Sequence, residues 1–180
     1  MSAASLLALF PPGSALDTDG TLMVGGCRLD LVAAEFGTPA IVVGEDALRA
    51  QARAYLDAFR TRWARSEIAF ASKSFPCTAV QRVMVEEGLH LDVAGGGEIL
   101  SALKAGADPA RLVLHGNAKT DEELTMAGGH GAGVGVVGHF DGFERLGNNV
   151  PGGRRRHLLW WGIPRGVRAT HAPPTAGPPR

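Results

Sequence analysis

The sequence predicts an α/β fold built on a parallel sheet. Three observations predict it. Short apolar runs rich in β-branched residues recur at near-regular intervals, segments with apolar residues at spacings of three and four lie between them, and Gly or Pro marks the junctions. Strand and helix alternate about five times, which implies parallel strands joined by helical crossovers. Strands this short and apolar suit a sheet covered on both faces.

Residues 1–27 are punctuated by Pro and Gly and carry no clear period. Leu29 to Phe36 reads as a short helix ended by Gly37. Ala40 to Val43 is an apolar run expected as a strand, and Asp46 to Trp63 a helix with Leu48, Ala52, Tyr55, Leu56 and Phe59 on one face. Glu67 to Lys73 is expected as a strand. Pro76 to Glu87 is expected as a helix, with Pro in its first turn and Gly88 after it. Leu89 to Ala94 and Arg111 to His115 are expected strands, and Gly97 to Ala105 is the helix between them. Thr120 with Glu123 three residues on forms a capping-box pattern for a helix over Asp121 to Ala127. Val134 to Val137 is a strand, Asp141 to Leu146 a short helix and His157 to Trp161 a last strand. From Pro164 the chain is rich in Pro, Gly and Arg with no periodicity, so residues 164–180 are expected as a disordered tail.

Two architectures accommodate this order: an open doubly wound sheet, or a (β/α)8 barrel. A full barrel takes about 250 residues. The 180 residues here have room for about five or six of its βα units.

Composition narrows the function. Apolar residues make up 45%, enough for a core. Eighteen basic and eighteen acidic side chains cancel, which argues against a nucleic-acid partner. The cysteines, Cys27 and Cys77, lie 50 residues apart without metal or disulfide spacing, as in a reducing cytoplasm. The apolar run before Phe10 has no basic residue ahead of it, since the first is Arg28, so it is not expected to be a secretory signal. No run of 18 apolar residues suggests a membrane span. The histidines other than His115 show no ligand spacing, and no metal is expected. Arg154 to Arg156 could meet acidic partners, but three arginines in a turn are ordinarily solvated.

In parallel α/β folds ligands sit at the carboxyl ends of the strands. There this chain places Lys73, Asp92 and His115, spaced by 19 and 23 residues, about one βα unit each. Alternation puts Ala69, Ala71 and Lys73 on one strand face, small residues leading to a long amine. A partly buried lysine tends toward a lower pKa and a nucleophilic neutral amine, suited to a Schiff base with an aldehyde. An isolated lysine in such a place is otherwise an ordinary solvated residue. Asp92 could pair with a charge in the pocket or simply close a turn, and His115 could contact a planar ligand or serve structure. The amides of Gly95 to Gly97, opening a helix, could hold a phosphate, or the glycines could serve a tight turn alone.

Four stretches together resemble the N-terminal half of diaminopimelate decarboxylases. They are Leu31-Val-Ala-Ala-Glu-Phe-Gly-Thr-Pro39, Phe70-Ala-Ser-Lys-Ser-Phe75, Glu86-Glu-Gly-Leu-His-Leu-Asp-Val-Ala-Gly-Gly-Gly-Glu98 and Leu114-His-Gly-Asn-Ala-Lys119. The first of them is what a bare cofactor-carrying barrel would not need. The Ala-Ser-Lys strand end and the His-Gly-Asn turn favour this family over ornithine or arginine decarboxylases and alanine racemases. The family comprises fold-type III enzymes that use pyridoxal 5′-phosphate (PLP). The resemblance implies an incomplete (β/α)8 TIM-like barrel of the alanine racemase type over residues 37–163, after an N-terminal extension and short helix over 1–36. It implies that Lys73 is the Schiff-base lysine, that Asp92 lies near that lysine and the cofactor, and that His115 lines the pocket. It implies decarboxylation of meso-2,6-diaminopimelate to L-lysine in the cytoplasm, with a small-molecule substrate, no nucleic acid or membrane, and a homodimer of the family type.

Members of the family run to more than twice this length, with a glycine-rich phosphate loop and a C-terminal β-domain that this sequence does not show. The last residues read as a chain that has left the family pattern, through truncation or a change of reading frame. Little or no decarboxylase activity is therefore expected of the 180 residues alone. Two other readings are a non-catalytic PLP-binding barrel protein in cofactor homeostasis and a fragment without a stable fold.

Overall fold

The computed structural model describes residues 6–138, 140–149 and 156–159. The expected tail over 164–180 lies outside the described residues, as do Arg154, Arg155, Trp160 and Trp161. Contacts divide the chain into two units, Met1–Ser66 and Glu67–Arg180.

The first unit opens with a small antiparallel sheet, β1 (Ala15–Leu16), β2 (Leu22–Val24) and β3 (Cys27–Arg28), in sequential order. Strands of two or three residues carry too little periodicity to register in the sequence. Their turns do have signatures. The Asp17 carboxylate accepts the amides of Asp19 and Thr21, both at 2.9 Å, an Asx turn between β1 and β2. Gly25 and Gly26 take φ of 58° and 76° between Val24 and Cys27, the doubly left-handed two-residue turn that matches strand twist. Arg28 then gathers Asp17 (2.9 Å), Asp19 (3.3 Å) and Asp30 (2.8 Å), which raises its own pKa and holds the Asp30 carboxyl below its usual range.

Helix α1 (Leu29–Phe36) ends at Gly37 as expected, and α2 spans Glu45–Arg60. Ala52 and Leu56 of α2 are buried, whereas Tyr55 and Phe59, expected on the same face, are exposed. Ala40 to Val43 is not a strand: Ile41 is 89% exposed, and no described strand pairs with the run. β-branched residues favour a pleated, half-buried surface, and without a neighbouring ladder that preference has nothing to act on.

The second unit is a five-stranded parallel sheet in sequence order: β4 (Ala69–Ala71), β5 (His90–Val93), β6 (Leu112–Leu114), β7 (Val134–Val137) and β8 (Arg156–Leu159). The crossovers are α3 (Thr78–Glu86), α4 (Gly96–Lys104), α5 (Asp121–His130) and α6 (Phe140–Asn149). This is the strand order of a (β/α) barrel rather than of a doubly wound sheet, whose order reverses at a switch point.

Register sets the two faces. Phe70, Leu91 and Leu112 lie in one row, and Val93 and Leu114 in the next, on the face that the helices cover. Leu91, Val93, Leu112 and Leu114 are at most 2% exposed, as are Ile99, Ala102 and Leu124 on the helices. Each such side chain contributes about 1.5–3 kcal/mol on burial. Ala71, Asp92 and Val113 form a row on the opposite face. The α5–β7 connection is fitted closely: a Cβ on Gly133 would lie 1.8 Å from the Ala110 carbonyl oxygen, so only glycine passes there.

Candidate active site

The mouth of the second unit is where β4, β5 and β6 end. Asp92 pairs with Ala71 on one side and Val113 on the other. Lys73 lies two residues beyond Ala71, and His115 two residues beyond Val113. Parallel register therefore carries the three candidate residues to neighbouring strand ends, with Asp92 in the middle.

Asp92 Oδ2 lies 3.3 Å from His115 Nδ1, and both side chains are partly buried. The position of the imidazole also follows from the backbone, since the His115 amide donates to the Val93 carbonyl at 2.8 Å and extends the ladder past β6. Asp92 Oδ1 is buried and has no hydrogen-bond partner among the described residues. A carboxylate oxygen out of water without a donor is costly, and such an atom is where an ordered water or a ligand would supply the missing donor.

Lys73 departs from the expected geometry. The strand stops at Ala71, and Ser72–Ser74 wind into a 3-10 turn, closed by the Ser74 hydroxyl donating to the Ala71 carbonyl at 2.7 Å. Three residues per turn replace the two-residue alternation. Ser72 is consequently fully buried and Lys73 is exposed, not partly buried as alternation along a longer strand suggests.

In the Gly95–Gly97 turn the Gly96 amide is already engaged by a carboxylate, as is the Ala94 amide before it. The Ala94 amide donates to Glu98 Oε2 at 2.8 Å, and the Gly96 amide to Glu123 Oε1 at 3.2 Å. Two carboxylates already supply the negative charge that the start of α4 favours. The turn reading, with close packing, holds: a Cβ on Gly95 would come within 3.1 Å of Glu123 Oε1.

Two residues that the sequence presented only as a motif lysine and a helix cap do more in the structure. Glu123 completes the expected capping box, its Oε2 accepting the Thr120 amide at 2.9 Å while the Thr120 hydroxyl accepts the Glu123 amide at 3.2 Å. These backbone bonds, with that of Gly96, hold its carboxyl below the usual range against the opposing effect of burial. Lys119 Nζ donates to the carbonyls of Gly116 and, at 2.6 Å, Val136. Burial lowers its pKa, with Glu123 opposing. The signal for Glu123 lay in its Glu at the third helical position. Its reach to Gly96, 27 residues earlier, is tertiary and had no local signature.

A planar aldehyde cofactor needs an amine, a carboxylate and a flat contact. Lys73, the unpartnered Asp92 Oδ1 and His115 provide these on adjacent strand ends, so the residues present fit that end of the group. In the glycine turn, Glu123 already occupies the Gly96 amide. Among the described residues no group of three or more His, Cys, Asp or Glu is placed to hold a metal, and no helix is long and apolar enough to cross a membrane.

Comparison with known proteins gives the chain a family. The chain is 44% identical over 139 residues to the diaminopimelate decarboxylase of Actinosynnema pretiosum subsp. auranticum, covering 77% of this chain and 31% of that protein. It is 38% identical over 128 residues to that of Staphylococcus aureus, covering 71% and 30%. It thus spans under a third of the length of these relatives. Among solved structures, a diaminopimelate decarboxylase from M. jannaschii in complex with L-lysine superposes with a TM-score of 0.71 at 24% identity, over 77% of this chain and 33% of that one. A lysine/ornithine decarboxylase from Vibrio vulnificus superposes with a TM-score of 0.63 at 20% identity, over 81% and 37%. At these identities both speak for the fold alone, the PLP-binding barrel. Residues 45–175 match the family model described as the pyridoxal-binding domain of pyridoxal-dependent decarboxylases, and the chain belongs to that family.

Proposed function

We propose that this chain is the cofactor-anchoring part of a PLP-dependent decarboxylase acting on meso-2,6-diaminopimelate to give L-lysine and carbon dioxide. The single observation that carries it is the Asp92–His115 pair, with a buried unpartnered carboxylate oxygen, one strand from the Lys73 turn. The substrate reading is supported by the relatives named diaminopimelate decarboxylase, which share 36–44% of aligned residues.

When bound, PLP supplies an electron sink for the charge left by loss of a carboxylate. The chain's own residues supply the rest. The Lys73 amine offers the covalent anchor. Its exposure departs from the partly buried amine that alternation suggests, so the anchor role is supported by its place at the end of β4 beside the Asp92 strand. Asp92 offers Oδ1 to a donor on the ligand while Oδ2 steadies His115, and His115 presents a flat ring. The substrate is a small diamino dicarboxylic acid, and the cytoplasm, where the cysteines stay reduced, is the proposed compartment. A homodimer of the family type belongs to the same proposal.

Titration of the purified 180-residue chain with PLP tests the anchor. Saturable growth of the visible absorbance of a pyridoxal–lysine adduct, lost in Lys73→Ala with the melting curve unchanged, is the expected result. An equal signal in Lys73→Ala would overturn the assignment.

A further inference from the structure

Helix α3 begins without a cap. Cys77 stands at its N-cap, its side chain bonds no amide there, and the first turn holds no acidic residue. Each of the other five described α-helices has Asp or Glu in its first turn. The first helical bond of α3 runs from the Gln81 amide to the Cys77 carbonyl at 3.0 Å, so the amides of Thr78, Ala79 and Val80 have no acceptor among the described residues. Ala79 is exposed and Cys77 and Thr78 are half-buried, which leaves this helix end open. Its dipole favours an anion there.

Open amides at a helix end are ordinarily hydrated, and they point to a ligand only with a polar group behind them. Gln81 is that group. It is fully buried, and neither Oε1 nor Nε2 has a hydrogen-bond partner among the described residues. Such an amide is costly, and its buried neighbours on the helix, Val80, Val83 and Met84, are apolar. The Cα–Cβ bond of a helical residue tilts toward the helix N-terminus, so the Gln81 side chain, at the fourth helical position, lies over the first turn. It is thereby aimed at the place where the three amides converge.

Backbone bonds tie this turn to Lys73. The Phe75 amide donates to the Ser72 carbonyl at 3.1 Å and the Cys77 amide to the Phe75 carbonyl at 2.8 Å, so a relay runs from the 3-10 turn that carries Lys73 into α3. Lys73 is exposed and brings positive charge to the approach. We infer that the first turn of α3, backed by Gln81, is a binding site for a phosphate group, held by the amides of Thr78, Ala79 and Val80 and by Gln81 Nε2 beside the Lys73 turn. The phosphate is inorganic or is carried by the aldehyde that Lys73 captures, and only the second source rests on the PLP reading.

The experiment follows the backbone and side-chain amides of the full 180-residue chain by NMR as inorganic phosphate replaces chloride at constant ionic strength. Saturable shifts are expected at Thr78, Ala79, Val80 and the Gln81 side chain. Ala79→Glu places a carboxylate on an exposed first-turn position, where it competes for the same amides. Gln81→Leu removes the unpaired amide and keeps an apolar side chain in its place, so the chain still folds. Phosphate affinity is expected to fall about tenfold in each variant. Absence of saturable shifts in the first turn, or wild-type affinity in both variants, would overturn the site. Absorbance titrations with PLP and with pyridoxal then separate the sources. PLP uptake weakened by inorganic phosphate and by Ala79→Glu, with pyridoxal uptake unchanged, assigns the site to the cofactor's phosphate. PLP uptake indifferent to both assigns it to the free anion. A Lys73→Ala chain that still takes up PLP would sink the function reading, and the phosphate shifts at α3 would leave this inference standing.

Discussion

Asp92 sits on a strand between Leu91 and Val93, both almost fully buried, yet turns a carboxylate to the other face and leaves Oδ1 without a donor among the described residues. A fold optimised for itself would place an apolar residue there. Asp92→Val is expected to raise the stability of the cofactor-free chain by about 1 kcal/mol, by removing the orphaned oxygen and adding strand propensity. The same change should weaken PLP binding on the order of tenfold. Denaturant unfolding and absorbance titration read the two effects, and a loss of stability would make Asp92 a structural residue. Glu123 behaves oppositely. Because its folded pKa is lowered, its contribution is fully present above the ordinary carboxylate range and is lost as pH falls through the lowered folded value. Glu123→Gln should cost about 1 kcal/mol at neutral pH, and the gap to wild type should close as acid protonates the carboxylate. Unfolding curves from pH 7 downward check the sign.

Among the elements, those with their own periodicity were legible. The helix after Thr120 was readable from its cap, and the strands from Leu89, Arg111 and Val134 from runs that a two-faced sheet must bury. Where the reading departed from the structure, the deciding contact was not local. Ile41 to Val43 has strand propensity but no neighbouring strand among the described residues. Alternation puts Lys73 on a strand face, but the strand ends two residues earlier in a 3-10 turn and Lys73 is exposed. Strands β1 to β3 were too short for a pattern, although Gly25-Gly26 was a hairpin signal in plain view. Gly133 gives this scale its sharpest prediction. Gly133→Ala would drive a methyl into the Ala110 carbonyl, and the α5–β7 connection would have to move. A loss of about 2–4 kcal/mol, the upper range for a point change, is expected in denaturant unfolding. A variant as stable as wild type would mean that the connection yields easily.

For the whole molecule, the parallel order of five strands follows from the strand–helix rhythm, and it delivers Lys73, Asp92 and His115 to adjacent strand ends at one mouth. The spacing of these residues in sequence, about one βα unit each, was the readable trace of that arrangement. The links across the mouth through Lys119 and Glu123 were not readable, because they join residues 17 and 27 positions apart. The core under the helices should carry the fold without the cofactor: Leu112→Ala is expected to cost about 2–5 kcal/mol, from a residue 1% exposed. The central claim concerns one amine, and reductive trapping tests it most directly. The chain is treated with PLP and then borohydride, digested, and the pyridoxyl label located by mass spectrometry. The account predicts label on the peptide containing Lys73, with Lys104 and Lys119 unlabelled at stoichiometric PLP. Label spread evenly over all three lysines, or concentrated on either of the others, would contradict it.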